Sequence, residues 1–226
     1  MAGNSATRQA ILFLSLALVA AGAWAGVREA SPYFSSGIED AERFGALADK
    51  VPTPGLSIAS ERLVLDNCVR TISSLYARLQ PGSRKAEVSS HCLAAADAIV
   101  RQNPSSSYAW YVGALASGLT GDPAGMNARL LKSQQTGPTE QWIAELRVPL
   151  AEDHLAELAP DVRAHHDRDL RMLVASSRGI ASIAGRYVNQ ADFRERIAAI
   201  VEAMPEADQR RFVSRVGTAA QRAIGS

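Results

Sequence analysis

Two cysteines, four histidines and a set of acidic side chains that nearly balances the basic ones are the groups in this sequence able to do chemistry. Cys68 and Cys92 belong to no C-x-x-C pair and no C-x-x-C-H haem motif, so neither a redox couple nor haem attachment fits them. Only His91 adjoins either cysteine. Neighbours on a helix diverge by about 100°, so His91 faces away from any shared ligand set. What remains is a disulfide or a pair of buried thiols. The run His165-His166-Asp167-Arg168-Asp169 is the one cluster with ligand-like composition. On a helix His165 and Asp169 share a face, but a zinc site takes at least three protein donors. The run therefore reads as a solvated helix face. His154, with Glu152, Asp153 and Glu157, adds donors only where two helices converge. No G-x-S-x-G, G-x-x-x-x-G-K-[ST], G-x-G-x-x-G or H-E-x-x-H is present. No catalytic residue, metal site or cofactor is expected, and the chain reads as a non-enzyme. A formal charge of +1, from 24 basic and 23 acidic side chains, supplies no field for nucleic acid, which is not expected as a partner.

These groups must be positioned by helices. Alanine, leucine and arginine are abundant and aromatics make up 6% of the chain, a composition that starves strands and suits an all-α fold. Between Ser60 and Gln80 the apolar positions Leu65, Cys68, Ile72, Leu75 and Leu79 predict one helix stripe. After the turn Pro81-Gly82-Ser83, a second helix from Arg84 carries Val88, Cys92, Ala95 and Ile99. The midpoint of the two cysteines is Gln80, beside that turn, so an antiparallel hairpin brings their sulfurs to one height. A bridge closing about 25 residues would stabilise the fold by roughly 3.5 kcal/mol in the chain-entropy model. It requires an oxidising compartment. The alternative is two buried free thiols acting as small hydrophobes.

Export follows from the N-terminal stretch. Residues 10–26 are apolar, and no charge falls between Arg8 and Arg28. At about 1.5 Å per residue the roughly 19 intervening positions span on the order of 28 Å, one hydrocarbon thickness. Trp24 suits the interfacial belt and Arg28 can snorkel beyond it, which favours an uncleaved anchor. Ala23-Trp24-Ala25 also resembles a signal-cleavage site, which leaves secretion after cleavage open. Three divisions are expected: residues 1–30 as membrane anchor or signal, residues 31–59 as a tether, and residues 60–226 as a helical domain. The tether contains one short helical run, Ile38 to Lys50, with Tyr33 and Phe34 lying at the membrane surface or packed back on the domain.

Further along, helices are expected over Thr139–Val148, broken at Pro149, then Leu150–Leu158, stopped at Ala159-Pro160. Val162, Leu170, Leu173 and Val174 make a narrow apolar edge in the next segment. Ile180–Val188 follows, and then Phe193–Met204, capped by Asn189 or Asp192 and facing inward through Phe193, Ile197, Ile200 and Val201. Pro205 opens the last helix, whose inward residues are Phe212, Val213 and Val216.

Pro104 and Pro138 are separated by 34 residues, the tetratricopeptide period. From Ser107 to Glu140, Trp110 takes the aromatic position, Ala114 the small close-packing one, Gly121-Asp122 the turn, Leu130 the second helix and Pro138 the end. Gly113, Ser117, Met126 and Ser133 depart from the pattern. This stretch, with the weaker one before it, resembles a tetratricopeptide repeat over about a third of the chain. Tyr111, beside Trp110, reads as interhelical packing or part of a partner surface. The resemblance implies an irregular stack of helical hairpins presenting a surface to protein partners. With one N-terminal membrane segment, the whole is similar to helpers of bacterial envelope assemblies, including polysaccharide synthesis and export systems. It implies a single-pass inner-membrane protein with a periplasmic C-terminal domain, or a periplasmic one after cleavage, acting as an adaptor. The alternatives are an accessory subunit of a larger membrane complex and a cell-wall hydrolase with paired carboxylates.

Overall fold

The structure is a computed structural model that describes residues 3–35 and 39–224. Ile38, the expected start of the second helix, and the Ser36-Gly37 punctuation before it lie outside those residues. Among the described residues every regular element is helical, with twelve α-helices and one short 3₁₀ turn. The chain divides into two compact units, one ending at Ile99 and the other beginning at Val100.

The first unit opens with α1 (Gly3–Ser35), an uninterrupted helix that passes through Pro32. From Thr7 to Phe34 it is long and apolar enough to cross a membrane, and none of its most apolar stretch is buried. The same properties suit a signal sequence. Near its C-terminal end α1 ceases to be solitary. The Glu29 carboxylate accepts the backbone N–H of Leu56 (2.8 Å) and of Ser57 (3.0 Å), the Ser60 hydroxyl (3.0 Å) and the Ser57 hydroxyl. It thus sits on the N-terminus of α3 (Ile58–Ile72), where free amide donors and the helix dipole favour an anion. Gly55 is what permits this approach, since a Cβ there would lie 2.7 Å from Glu29 Oε2 and 2.2 Å from Ser60 Oγ.

The stretch expected to be a tether is therefore packed structure. Helix α2 (Asp40–Asp49) buries Phe44, Leu47 and Ala48, and its N-terminus is closed by a capping box between Glu39 and Glu42. The short α4 (Leu75–Arg78) places Tyr76 edge-on to Phe44 with ring centroids 5.6 Å apart. The single helix expected from Ser60 to Gln80 is broken at Ser73-Ser74. Ser74 Oγ donates to the Thr71 carbonyl (2.8 Å) and accepts from Ala77 N–H (3.0 Å), so its side chain replaces ladder bonds and starts a new turn. Beyond that break the stripe fails, leaving Leu75 and Leu79 70% and 76% exposed. Helix α5 (Gly82–Gln102) is joined to α3 through Cys92 and Cys68 and carries Val88, Cys92, Ala95 and Ile99 into the core.

The second unit contains α6 (Ser107–Leu119), α7 (Pro123–Thr136), α8 (Gln141–Asp153), the 3₁₀ turn Leu155–Glu157, α9 (Pro160–Val174), α10 (Ser177–Asn189), α11 (Ala191–Glu202) and α12 (Glu206–Ile224). Its larger core is built from Leu170, Leu173, Ile180, Phe193, Ile197 and Phe212, with Ile200 partly buried against it. Pro149 does not break α8, which continues to Asp153. An interior proline costs about 3 kcal/mol, and here it is exposed while its neighbours Val148, Leu150 and Ala151 are buried, so packing outweighs that cost. Neither Asn189 nor Asp192 caps α11. Asn189 is still the last residue of α10, and the one-residue link leaves Gln190 as an N-cap without a side-chain bond. In α12 Phe212 and Val216 are buried but Val213 is 67% exposed. This last helix is covered by α10 and α11 along a stripe only wide enough for positions four apart.

Candidate functional site

The cysteine geometry derived from the hairpin is present. Cys68 and Cys92 are both fully buried, their Cα atoms are 5.6 Å apart and their sulfurs are joined at 2.16 Å. A disulfide of this kind fits an oxidising compartment. His91, beside Cys92, turns away as its helix position requires and donates through Nδ1 to the Leu47 carbonyl at 2.7 Å. Arg84 lies over the Phe44 ring, 5.7 Å from its centroid.

In the second unit α8 and α9 form a hairpin connected through residues 154–159, and across it the structure joins residues that were read as solvated. His166 and Asp169 are buried, not solvent-facing. His166 Nε2 donates to Glu152 Oε1 at 2.7 Å, and Arg196 from α11 binds the other carboxylate oxygen. Burial alone would raise the Glu152 carboxyl, but hydrogen bonds and charge from His166 and Arg196 outweigh it and hold the group below its ordinary value. Five residues before Glu152 on α8, Arg147 is fully buried. It grips Asp169 through Nε (2.8 Å) and one terminal nitrogen (2.6 Å), and the remaining N–H groups reach the carbonyls of Ser133 and Gly137 at 3.0–3.2 Å. All five guanidinium donors are used, the condition under which a buried cation is tolerated. His165 is half-buried and donates to the Asp161 carbonyl (2.9 Å), while His154 pairs with Glu157 (3.2 Å). Among the described residues no three His, Cys, Asp or Glu side chains are placed to hold a metal.

Glu152 and Arg196 form one side of an open cleft, completed by Leu155, Ala156, Arg163, Phe193 and the α11 entry residues Gln190 to Asp192. Both arginines are preset: Arg163 donates to the Leu155 carbonyl (2.6 Å), and Arg196 rests on Glu152 with its guanidinium carbon 6.0 Å from the Phe193 ring centroid. Glu152 is ionised and already shared between two donors, so it is poorly placed to deliver a proton, whereas Arg163, Gln190 and Asp192 present hydrogen-bonding groups to a polar visitor.

The repeat-like stretch forms the α6–α7 hairpin. Ala114 and Leu130 are fully buried, Gly121 turns the chain with φ +76°, and Asp122 caps α7 by accepting from Gly125 N–H (2.8 Å). Pro138 is exposed just past the end of α7. Trp110 is half-buried and donates from Nε1 to the Pro104 carbonyl (2.8 Å). Tyr111 is buried and stacks on Tyr108, which meets Trp142 edge-on at 5.3 Å, so the aromatic cluster serves packing between helices. Burial pushes the Tyr111 phenol well up, keeping it neutral. Ser133, off the repeat pattern, is satisfied by donating to the Ser107 carbonyl at 2.8 Å. Compared with protein-family models, curated proteins and solved structures, the chain matches none.

Proposed function

We propose that this chain is a membrane-anchored adaptor: α1 crosses the bilayer and the remaining helices hold protein partners on the extracytoplasmic side. The observation that carries this reading is α1 itself. It is an apolar helix with no buried face in its span, and it is tied through Glu29 into a unit stapled by a disulfide. The helix continues past Ala25 without interruption into an end docked on α3 through Glu29, which ties the apolar segment to the folded unit. The oxidised cysteines support the far side of the membrane. The α6–α7 hairpin supports a repeat-like stack, in which each hairpin leaves a face for its neighbour.

The partner site we favour is the cleft of Arg163, Gln190, Asp192 and Arg196. Large exposed apolar side chains are few in the second unit, with Leu119 and Val213 the two present among the described residues, so a polar docking mode suits it better than an apolar groove. Engagement of Glu152 with two cations argues for binding over acid catalysis. The setting we propose is a bacterial envelope assembly, such as those handling polysaccharide. To test it, a photoreactive residue at position 156 or 192 of the cleft would be activated in intact cells, followed by mild detergent extraction. A discrete cross-linked protein that is lost when Arg163 and Arg196 are replaced by Ala is expected. Extraction of the chain alone, or a cytosolic signal from a C-terminal topology reporter, would overturn the proposal.

A further inference from the structure

Two exposed apolar side chains of the first unit lie at the end of α3 that Glu29 holds. Leu56 and Ile58, 50% and 75% exposed, flank Ser57, the residue that caps α3. Leu56 occupies the position just before the cap, where an apolar residue commonly packs against the fourth helical residue. That residue is Glu61, so no such staple forms and Leu56 is left pointing outward. Ile58, the first residue of α3, has the same orientation problem and three-quarters of its surface in contact with solvent.

Their height is fixed by the Glu29 clamp. Glu29 is three residues past Gly26, the end of the apolar stretch, or about 4.5 Å along the helix axis. Side chains on a helix incline toward its N-terminus, so the Glu29 carboxylate lies on the membrane side of its own Cα. The Leu56 and Ser57 amides bonded to that carboxylate are consequently held at the level of residues 26–29. That is the headgroup and acyl boundary, into which an interfacial apolar face sinks by about 5–10 Å. We infer that Leu56 and Ile58 are immersed in the interfacial layer of the same bilayer that α1 crosses, so the unit sits on the lipid surface at a second point and cannot swing freely about its anchor. The lipid surface is chosen as the occupant because the bonds from Glu29 make this edge continuous with the spanning helix. The inference rests on the membrane-anchor reading.

The test uses the full chain in phosphatidylcholine and phosphatidylglycerol bilayers, with a nitroxide placed at Leu18→Cys, Leu56→Cys or Ile58→Cys in separate samples. Collision with oxygen and with a water-soluble nickel complex is then measured. All three labels are expected to lose nickel access and to keep oxygen access, most strongly at position 18. If position 18 behaves so and positions 56 and 58 stay open to nickel, the second contact is wrong while the anchor stands. If position 18 is itself open to nickel, the anchor reading falls and this inference with it. Shielding of positions 56 and 58 from both reagents would assign the edge to a protein surface and overturn the lipid assignment.

Discussion

Arg147 and Asp169 depend on one another completely. Removing one partner of a buried, fully bonded pair strands the other charge, and such losses run to about 3–5 kcal/mol. Asp169→Ala is therefore expected to destabilise the second unit by that amount, read as a lowered urea midpoint by circular dichroism. The double replacement Arg147→Met with Asp169→Leu should recover most of it, because no charge is then left buried. Glu152 gives a pH signature of known sign. Its carboxyl is held below its ordinary value in the folded chain, so its contribution is complete above the unfolded value and is lost as pH falls through the folded one. The stability gap between the native chain and Glu152→Gln should be widest near neutrality and should close as the pH falls below the ordinary carboxylate value of 4.5, measured by thermal melts across that range. Both pairs were legible in principle. Arg147 and Asp169 are equidistant from Leu158, and Glu152 and His166 from Ala159, by the same symmetry that places the two cysteines about Gln80. The symmetry works only when the two arms are known, and the break expected at Pro149 put Arg147 and Glu152 on separate helices, where the structure has one.

At the scale of elements, the close approach of α9 and α10 is made by Gly179, where an added Cβ would lie 2.4 Å from the Leu173 carbonyl oxygen. Backbone cannot yield as a flexible side chain can. Gly179→Ala should cost about 1–3 kcal/mol, whereas Gly185→Ala on the same helix, with nothing within 4 Å of the new carbon, should be neutral or slightly stabilising. Paired thermal melts of the two variants check this. Helix existence was readable wherever apolar periodicity was strong, as in α5, α10 and α11. Failures came where a local group overrode the pattern: Ser74 capping a new turn, or α10 and α11 joined by a single residue. The stretch before Ser60 misled for a different reason. Its serine, proline and glycine punctuation suggests a linker, yet Gly55 and Ser57 are small and polar because they receive Glu29.

For the whole molecule, the disulfide and the long apolar N-terminal helix are the features the sequence displays most openly, because each follows from counting positions. Replacing Cys68 and Cys92 with Ser should lower stability by about 3–4 kcal/mol, and reduction of the native chain should do the same. The polar cleft was far less visible, since its walls come from positions 152 to 196 and depend on tertiary packing. Glu29 also settles where the protein can be cut. Cleavage after Ala25 would leave that carboxylate as the fourth residue of the product, still able to hold the amides of Leu56 and Ser57. A soluble form begun at Gly26 retains its own N-terminal lock, whereas one begun at Ser60, the intuitive boundary, discards the Phe44 face as well and bares the core it covered.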